Sequence, residues 1–334
     1  MKRHLLYFTA PRQVEVRQDD LPAPGPGQLQ IHTTRSAISA GSELLLYAGE
    51  VPSQAAADEQ LSALAGSLAY PLKYGYCAVG RVAAAGPDLD PTWQGRRVFA
   101  FNPHESAFNV SAEEVQPIPD EIPDEDAVFL ANMETAVNLM LDALPRLGER
   151  VAVIGQGVVG LLATALLRRH PLAALYVFDR YLSRRARAEA FGADQAFDPS
   201  DSNAAKSALG PQGADLVLEL SGQPEALNLA LDMVGAGGRV VVGSWYGQRR
   251  AAINLDERFH RGRVQIISSQ VSQLPAALSA RWDRRRRFNL AWDLLAAVQP
   301  SQLISHRFPL DEAAAAYALL SSQPDEALAV AFTY

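Results

Sequence analysis

The chain has 334 residues, enough for about two domains, and its 48% hydrophobic and 20% charged residues describe an ordinary globular composition. A net charge of -7 disfavours a general binder of nucleic acid or anionic membrane, because phosphate would be repelled on average, and no apolar run has the length of a membrane span. The single cysteine, Cys77, excludes an intrachain disulfide and a cysteine-based zinc cluster, and the absence of a signal-peptide pattern ahead of Leu5-Leu-Tyr-Phe8 makes a cytoplasmic protein the expectation.

Residues 1–130 read as strands and turns. Leu5-Leu-Tyr-Phe8 is strand-like, and the rigid Leu21-Pro-Ala-Pro-Gly-Pro-Gly27 turn feeds a strand from Gln28 to Thr33 in which Leu29 and Ile31 alternate with polar neighbours. Ser36 to Gly49 follows, then a polar insert from Gln54 to Glu59. Tyr74 to Gly86 reads as a strand with close backbone approaches at its glycines, Arg96 to Phe101 as another, and Pro117 to Asp124 as a crossing into the next domain.

Val151-Ala-Val-Ile-Gly155 has the apolar character of a buried parallel strand, Gly155-Gln-Gly-Val-Val-Gly160 follows at once, and Leu161 to Arg169 repeats apolar residues at helical spacing. In such a unit Gly155 permits the tight turn, Gly157 admits a pyrophosphate, and Gly160 allows close packing of helix on strand. The free N–H groups of Val158 and Val159 then face the phosphates at the positive end of the helix. Ala174 to Phe178 is a second strand ending in Asp179, a carboxylate placed to accept hydrogen bonds from a ribose. That charge favours NAD; Arg180, Arg184 and Arg185 are near enough to neutralise a 2′-phosphate, so NADP stays open.

The alternation continues with a helix from Arg184 to Phe191, a strand from Leu216 to Leu220, a helix from Pro224 to Val234, and strands at Gly238 to Gly243 and Val264 to Ser268. This pattern predicts a doubly wound parallel sheet with ligand at the carboxyl ends of its strands, where Ser221, Gly222 and Ser244 face the cofactor crevice. Arg281 opens a further helix running to Leu295, and Asp311 to Leu320 forms an alanine-rich one. The arginine run at 281–287 suits a phosphate or acidic-substrate site, a solvated helix start or a subunit contact.

Gly41-Ser-Glu, Gly75-Tyr-Cys-Ala-Val-Gly80-Arg-Val, Gly148 to Gly160 and Ser305-His-Arg-Phe-Pro-Leu-Asp-Glu-Ala313 together resemble the medium-chain dehydrogenase/reductase superfamily, the alcohol dehydrogenase type. The resemblance implies an α/β protein: a GroES-like, mostly-β catalytic domain at 1–130, a Rossmann domain at 131–272 and a return to the catalytic domain at 273–334. Zinc members carry a ligand Cys where this chain has Ala40 and a ligand His where it has Tyr76. Their third ligand falls at Asn132, with Glu134 close by, and their four-cysteine lobe has no counterpart after Phe101-Asn-Pro103. No zinc is therefore expected, and the chain looks like a zinc-less branch that includes proteins similar to 2-hydroxyethyl bacteriochlorophyllide dehydrogenase.

Without a metal, hydrogen-bond donors or a general acid must manage the developing charge. The resemblance puts Ser42 at the proton-relay hydroxyl, Tyr76 at the lost His, Glu134 as base or orienting group, and Phe101 as a pocket wall with His104 just beyond it. It implies oxidoreduction of a small molecule, either between an alcohol and a carbonyl or at an activated double bond with NADPH. A cofactor-binding protein without catalysis is the third reading. A homodimer is expected, paired along the Val264 to Ser268 edge.

Overall fold

The computed structural model describes residues 1–58 and 61–334; of the polar insert expected at Gln54 to Glu59, Glu59 lies outside the described residues. The chain divides into two compact units, Met1–Ala131 with Trp292–Tyr334, and Asn132–Ala291. Among the described residues, no helix is long and apolar enough to cross a membrane.

The first unit is built on a mainly antiparallel sheet. Its strands run in the order Ile304–Pro309, Ala329–Thr333, Gln28–Ala37, Ala78–Ala85, Arg97–Ala100 and Val115–Pro117, with Ala107–Ser111 also paired to Gln28–Ala37. Leu29 and Ile31 alternate inward on the central strand and are fully buried against Val82, Val98 and Phe108, which is the one-face burial that period-2 patterning requires. The final strand joins the same sheet, with Phe332 opposite Ser36. A second core gathers Leu6, Phe8, Tyr317 and Phe332 around helix Ala40–Ala48, which ends at Gly49 in the left-handed conformation with φ of 76°. The strand expected from Tyr74 is shorter, Ala78–Ala85, because Gly75 turns the chain at φ of 117° just before it.

The second unit is a six-stranded parallel sheet in the order Gln195–Phe197, Ala174–Phe178, Arg150–Ile154, Ala214–Glu219, Val234–Val242 and Gln265–Ser268. That order reverses between the third and fourth strands named, and the switch point is where a doubly wound sheet takes its ligand. Val151, Ala152 and Val153 have no exposed surface, as expected of a strand covered on both faces.

The return to the first unit comes at 291/292, inside helix Arg284–Val298, rather than at 272/273. Hydrogen bonds explain the shift. Helix Leu130–Ala143 presents Glu134, Asn138 and Asp142 one turn apart, and these take Arg287, the Gln270 carbonyl and the Ser269 hydroxyl respectively, so residues 269–287 stay with the second unit. The helix expected from Arg281 begins at Arg284, since the Asp283 carboxylate accepts the Arg286 N–H at 2.6 Å and so sets the start.

Candidate active site

In the second unit, Gly155 leaves its strand at φ of 94°, and a Cβ there would lie 2.6 Å from the Cα of Ser221. A Cβ on Gly160 would lie 2.0 Å from the Gly155 carbonyl oxygen, so the helix packs on the turn only because residue 160 has no side chain. Gly157 has open space in place of its side chain. Helix Val158–Leu167 makes its first internal bond from Leu161 N–H to the Gly157 carbonyl, so the N–H groups of Val158, Val159 and Gly160 precede the ladder at the positive helix end. Open space, leading N–H groups and a helix dipole together fit a pyrophosphate.

Asp179 is buried at the end of the neighbouring strand. Its two oxygens accept the N–H of Gln156 at 2.8 Å and of Tyr181 at 2.9 Å, which fixes the carboxylate against the glycine turn. Arg180 and Arg184 lie over the Tyr181 ring at 4.8 and 4.9 Å. Arg185 is turned instead toward the Asp179 carbonyl and the Asp198 carboxylate.

Ser221, Gly222 and Ser244 follow the carboxyl ends of adjacent strands and form one hydrogen-bonded group, Gly222 N–H donating to Ser244 Oγ at 2.9 Å. At its centre is Glu219, fully buried, which sequence reasoning missed. It accepts the Ser221 N–H at 2.8 Å, the Ser221 hydroxyl and the Tyr246 hydroxyl. Burial, reinforced by Glu219, pushes the Tyr246 phenol above its ordinary range. A carboxylate ending an apolar strand was the available signal.

Glu134 is also in the second unit, and here the expectation needs correction. Its Oε1 takes both Nη2 of Arg287 at 2.7 Å and Nε at 3.1 Å, with the two side chains only 4% and 3% exposed. The geometry commits Oε1 to a buried ion pair, which holds the carboxylate in place rather than leaving it a free base.

In the first unit, Ser42 Oγ lies 2.7 Å from Tyr76 Oη, and Tyr76 donates to Ser39 Oγ at 2.5 Å. Burial pushes the Tyr76 phenol well above 10, while the two serine hydrogen bonds act in the opposite sense. The phenol is therefore a protonated donor throughout the neutral range. Tyr74 packs edge-on to it at 6.1 Å. Ser39 was not anticipated, although its place as the residue before helix Ala40–Ala48 is legible.

Phe101 is half-buried and edge-on to Phe99 at 5.1 Å. His104 departs from its expected place beside the pocket wall: it has no exposed surface, its Nε2 lies 3.0 Å from Glu43 Oε2, and its Nδ1 lies 2.7 Å from Ser36 Oγ.

The positions where the resemblance puts zinc ligands hold Ala40, Tyr76 and Asn132. Ala40 and Tyr76 are not ligands of the Cys or His type, and burial, with Glu43 acting in the same sense, pushes the adjacent Cys77 thiol well above its ordinary range. Among the described residues, no group of three His, Cys, Asp or Glu is arranged to hold a metal ion.

Residues 158–287 match the sequence profile of the family described as Zinc-binding dehydrogenase. D-guloside 3-dehydrogenase of Escherichia coli (strain K12) is 26% identical over 227 residues, which span 66% of this chain and 65% of that protein. The 2-desacetyl-2-hydroxyethyl bacteriochlorophyllide A dehydrogenase of Cereibacter sphaeroides is 25% identical over 350 residues, covering 97% of this chain and 96% of its own. Among solved structures, a short chain alcohol dehydrogenase from Escherichia coli CFT073, complexed with NADH, superimposes with a TM-score of 0.81 at 20% identity, over 100% of this chain and 99% of that one.

Proposed function

We propose that the chain is an oxidoreductase of the medium-chain dehydrogenase/reductase superfamily, a cytoplasmic, zinc-independent enzyme interconverting an alcohol and a carbonyl with NAD; the profile match at 158–287 and the two dehydrogenases that are 25–26% identical support that reading. The observation that carries the reading is the Ser42–Tyr76–Ser39 hydroxyl group, which stands where the resemblance would put a metal ligand and holds a protonated phenol. The Zinc-binding dehydrogenase match covers 158–287, within the second unit, and so says nothing about Ala40 and Tyr76 in the first.

A bound nicotinamide would accept or supply the hydride. Gly155, Gly157 and Gly160 with the N–H groups of Val158 and Val159 would hold its pyrophosphate, and Asp179 its ribose. Ser221, Gly222 and Ser244 would line the crevice around Glu219. When substrate binds, the Tyr76 phenol would turn its hydrogen bond from Ser39 Oγ to the carbonyl oxygen and pass its proton as that oxygen gains charge, with Ser42 stabilising the phenolate left behind. Phe101 would wall the substrate pocket. The Asp179 carboxylate supports NAD by repelling a 2′-phosphate, and we further propose that two copies pair along the Gln265–Ser268 edge.

Fluorescence titration of chelator-treated protein with NADH and NADPH, followed by turnover on a panel of secondary alcohols and ketones, tests the proposal. Tighter NADH binding and chelator-resistant turnover are expected. Turnover that chelation abolishes and zinc restores would remove the metal-free mechanism, and binding of neither nucleotide would remove the enzyme reading.

A further inference from the structure

Behind the Ser39 hydroxyl lies a carboxylate–imidazole pair with no exposed surface. Glu43, with no exposed surface, accepts the Ser39 N–H at 2.7 Å on Oε1, and the Tyr317 hydroxyl and His104 Nε2 on Oε2, the latter at 3.0 Å. The Ser39 N–H and the Tyr317 hydroxyl donate to it, one on each oxygen. On the other side of the ring, Nδ1 lies 2.7 Å from Ser36 Oγ, which in turn lies 2.7 Å from Tyr334 Oη, so the imidazole joins Glu43 to a buried hydroxyl pair.

The ring is also boxed sterically. Phe332 meets it edge-on at 5.0 Å, and a Cβ on Gly75 would lie 2.7 Å from Nε2. Gly75 immediately precedes Tyr76 in the chain. His104 therefore bears on both ends of the Tyr76–Ser39 hydrogen bond, through the Gly75 backbone at the tyrosine end and through Glu43 at the serine end.

We propose that His104 and Glu43 are positioning residues that fix the place of the Tyr76 hydroxyl: the imidazole braces the backbone that carries the tyrosine, and the carboxylate holds the main chain of Ser39, which keeps the phenol's hydrogen bond until a substrate oxygen takes it. The role rests on the reading of Tyr76 as proton donor, but its geometry is measurable without substrate.

The test is the Tyr76 ¹³Cζ resonance in protein labelled at its 10 tyrosines, assigned by loss of the signal in Tyr76→Phe. Glu43→Gln and His104→Phe are expected to move that resonance toward the position of a solvent-bonded tyrosine. His104→Gln, whose amide can donate to Glu43 and accept from Ser36, should leave it near the wild-type position. On any alcohol that the panel shows to be a substrate, the two disruptive variants should lose about a hundredfold in kcat, the scale of a misplaced catalytic group. Their Kd for NADH should stay unchanged.

A Tyr76 resonance unmoved in folded Glu43→Gln overturns the inference, and Glu43→Gln, close to isosteric, carries the test if His104→Phe does not fold. Equal displacement by His104→Gln and His104→Phe also overturns it, because the hydrogen bonds would then not be what positions the ring. Failure of the wild type to bind NADH or to turn over any alcohol sinks the enzyme reading and leaves the resonance experiment intact.

Discussion

Arg287→Met removes one partner of a buried ion pair and leaves the other in place. Arg287 and Glu134 are 3% and 4% exposed, two guanidinium nitrogens reach the same carboxylate oxygen, and a third donates to Asn138 Oδ1 at 2.7 Å. Stranding a buried charge costs about 3–5 kcal/mol, a large share of the roughly 5–15 kcal/mol that separates folded from unfolded domains. Urea unfolding at neutral pH should register a loss of that size with the slope unchanged.

The pH dependence follows from the carboxyl itself. Burial pushes the Glu134 pKa up and Arg287 opposes it, so the folded protein holds this proton more readily than the unfolded chain. Stability from this group is thus present at low pH and is lost as pH rises from about 4.3, the unfolded value, through the raised folded one. Removing Arg287 widens that window, so the deficit of Arg287→Met should shrink between pH 7 and pH 5. Replacing both partners, Glu134→Leu with Arg287→Met, should recover most of the loss, since an apolar pair has no charge to desolvate. A single-variant cost below about 1 kcal/mol, against the 3–5 expected, or a double variant no better than the single, would refute the reasoning.

The glycine turn separates folding from binding. Gly160→Ala, with its methyl 2.0 Å from the Gly155 oxygen, should destabilise the protein by about 1–3 kcal/mol in the same unfolding assay. Gly157→Ala meets nothing within 4 Å and should fold normally, yet weaken NADH binding by about tenfold, or about 1.4 kcal/mol. Unaltered NADH affinity in Gly157→Ala would mean that the phosphates approach elsewhere. For the subunit edge, Ile266 is 42% exposed on the outermost strand, and Ile266→Lys should convert a dimeric mass in analytical ultracentrifugation to a monomeric one. A wild type that sediments as a monomer removes that pairing.

The parallel sheet was the most legible part of the fold. Ala174–Phe178 occupies the expected bounds because a strand covered on both faces must be apolar throughout, and such a run is visible without partners. The domain return was less so. What keeps residues 269–287 with the second unit is a set of hydrogen bonds to Glu134, Asn138 and Asp142, more than 120 positions away in the chain, and no local periodicity reports them. Their i, i+4, i+8 spacing marks a polar helix face but does not say what covers it.

The same limit governs the candidate site. Ala40 and Tyr76 stand out as departures from a metal-binding pattern, whereas His104, in a loop flanked by Pro103 and Glu105, looks like a solvent-facing residue beside a pocket. It is buried because Leu6 N–H bonds its carbonyl and Phe332, from the last strand, packs on its ring, two contacts that exist only after the ends of the chain have come together. Burial then acts twice. It holds the Tyr76 phenol in its protonated form, which a proton donor in a metal-free site needs, and it obliges each neighbouring polar group to find a partner. Ser39, Glu43, His104, Ser36 and Tyr334 supply those partners to one another, so the group that positions the donor follows from the same desolvation that keeps the donor charged with its proton.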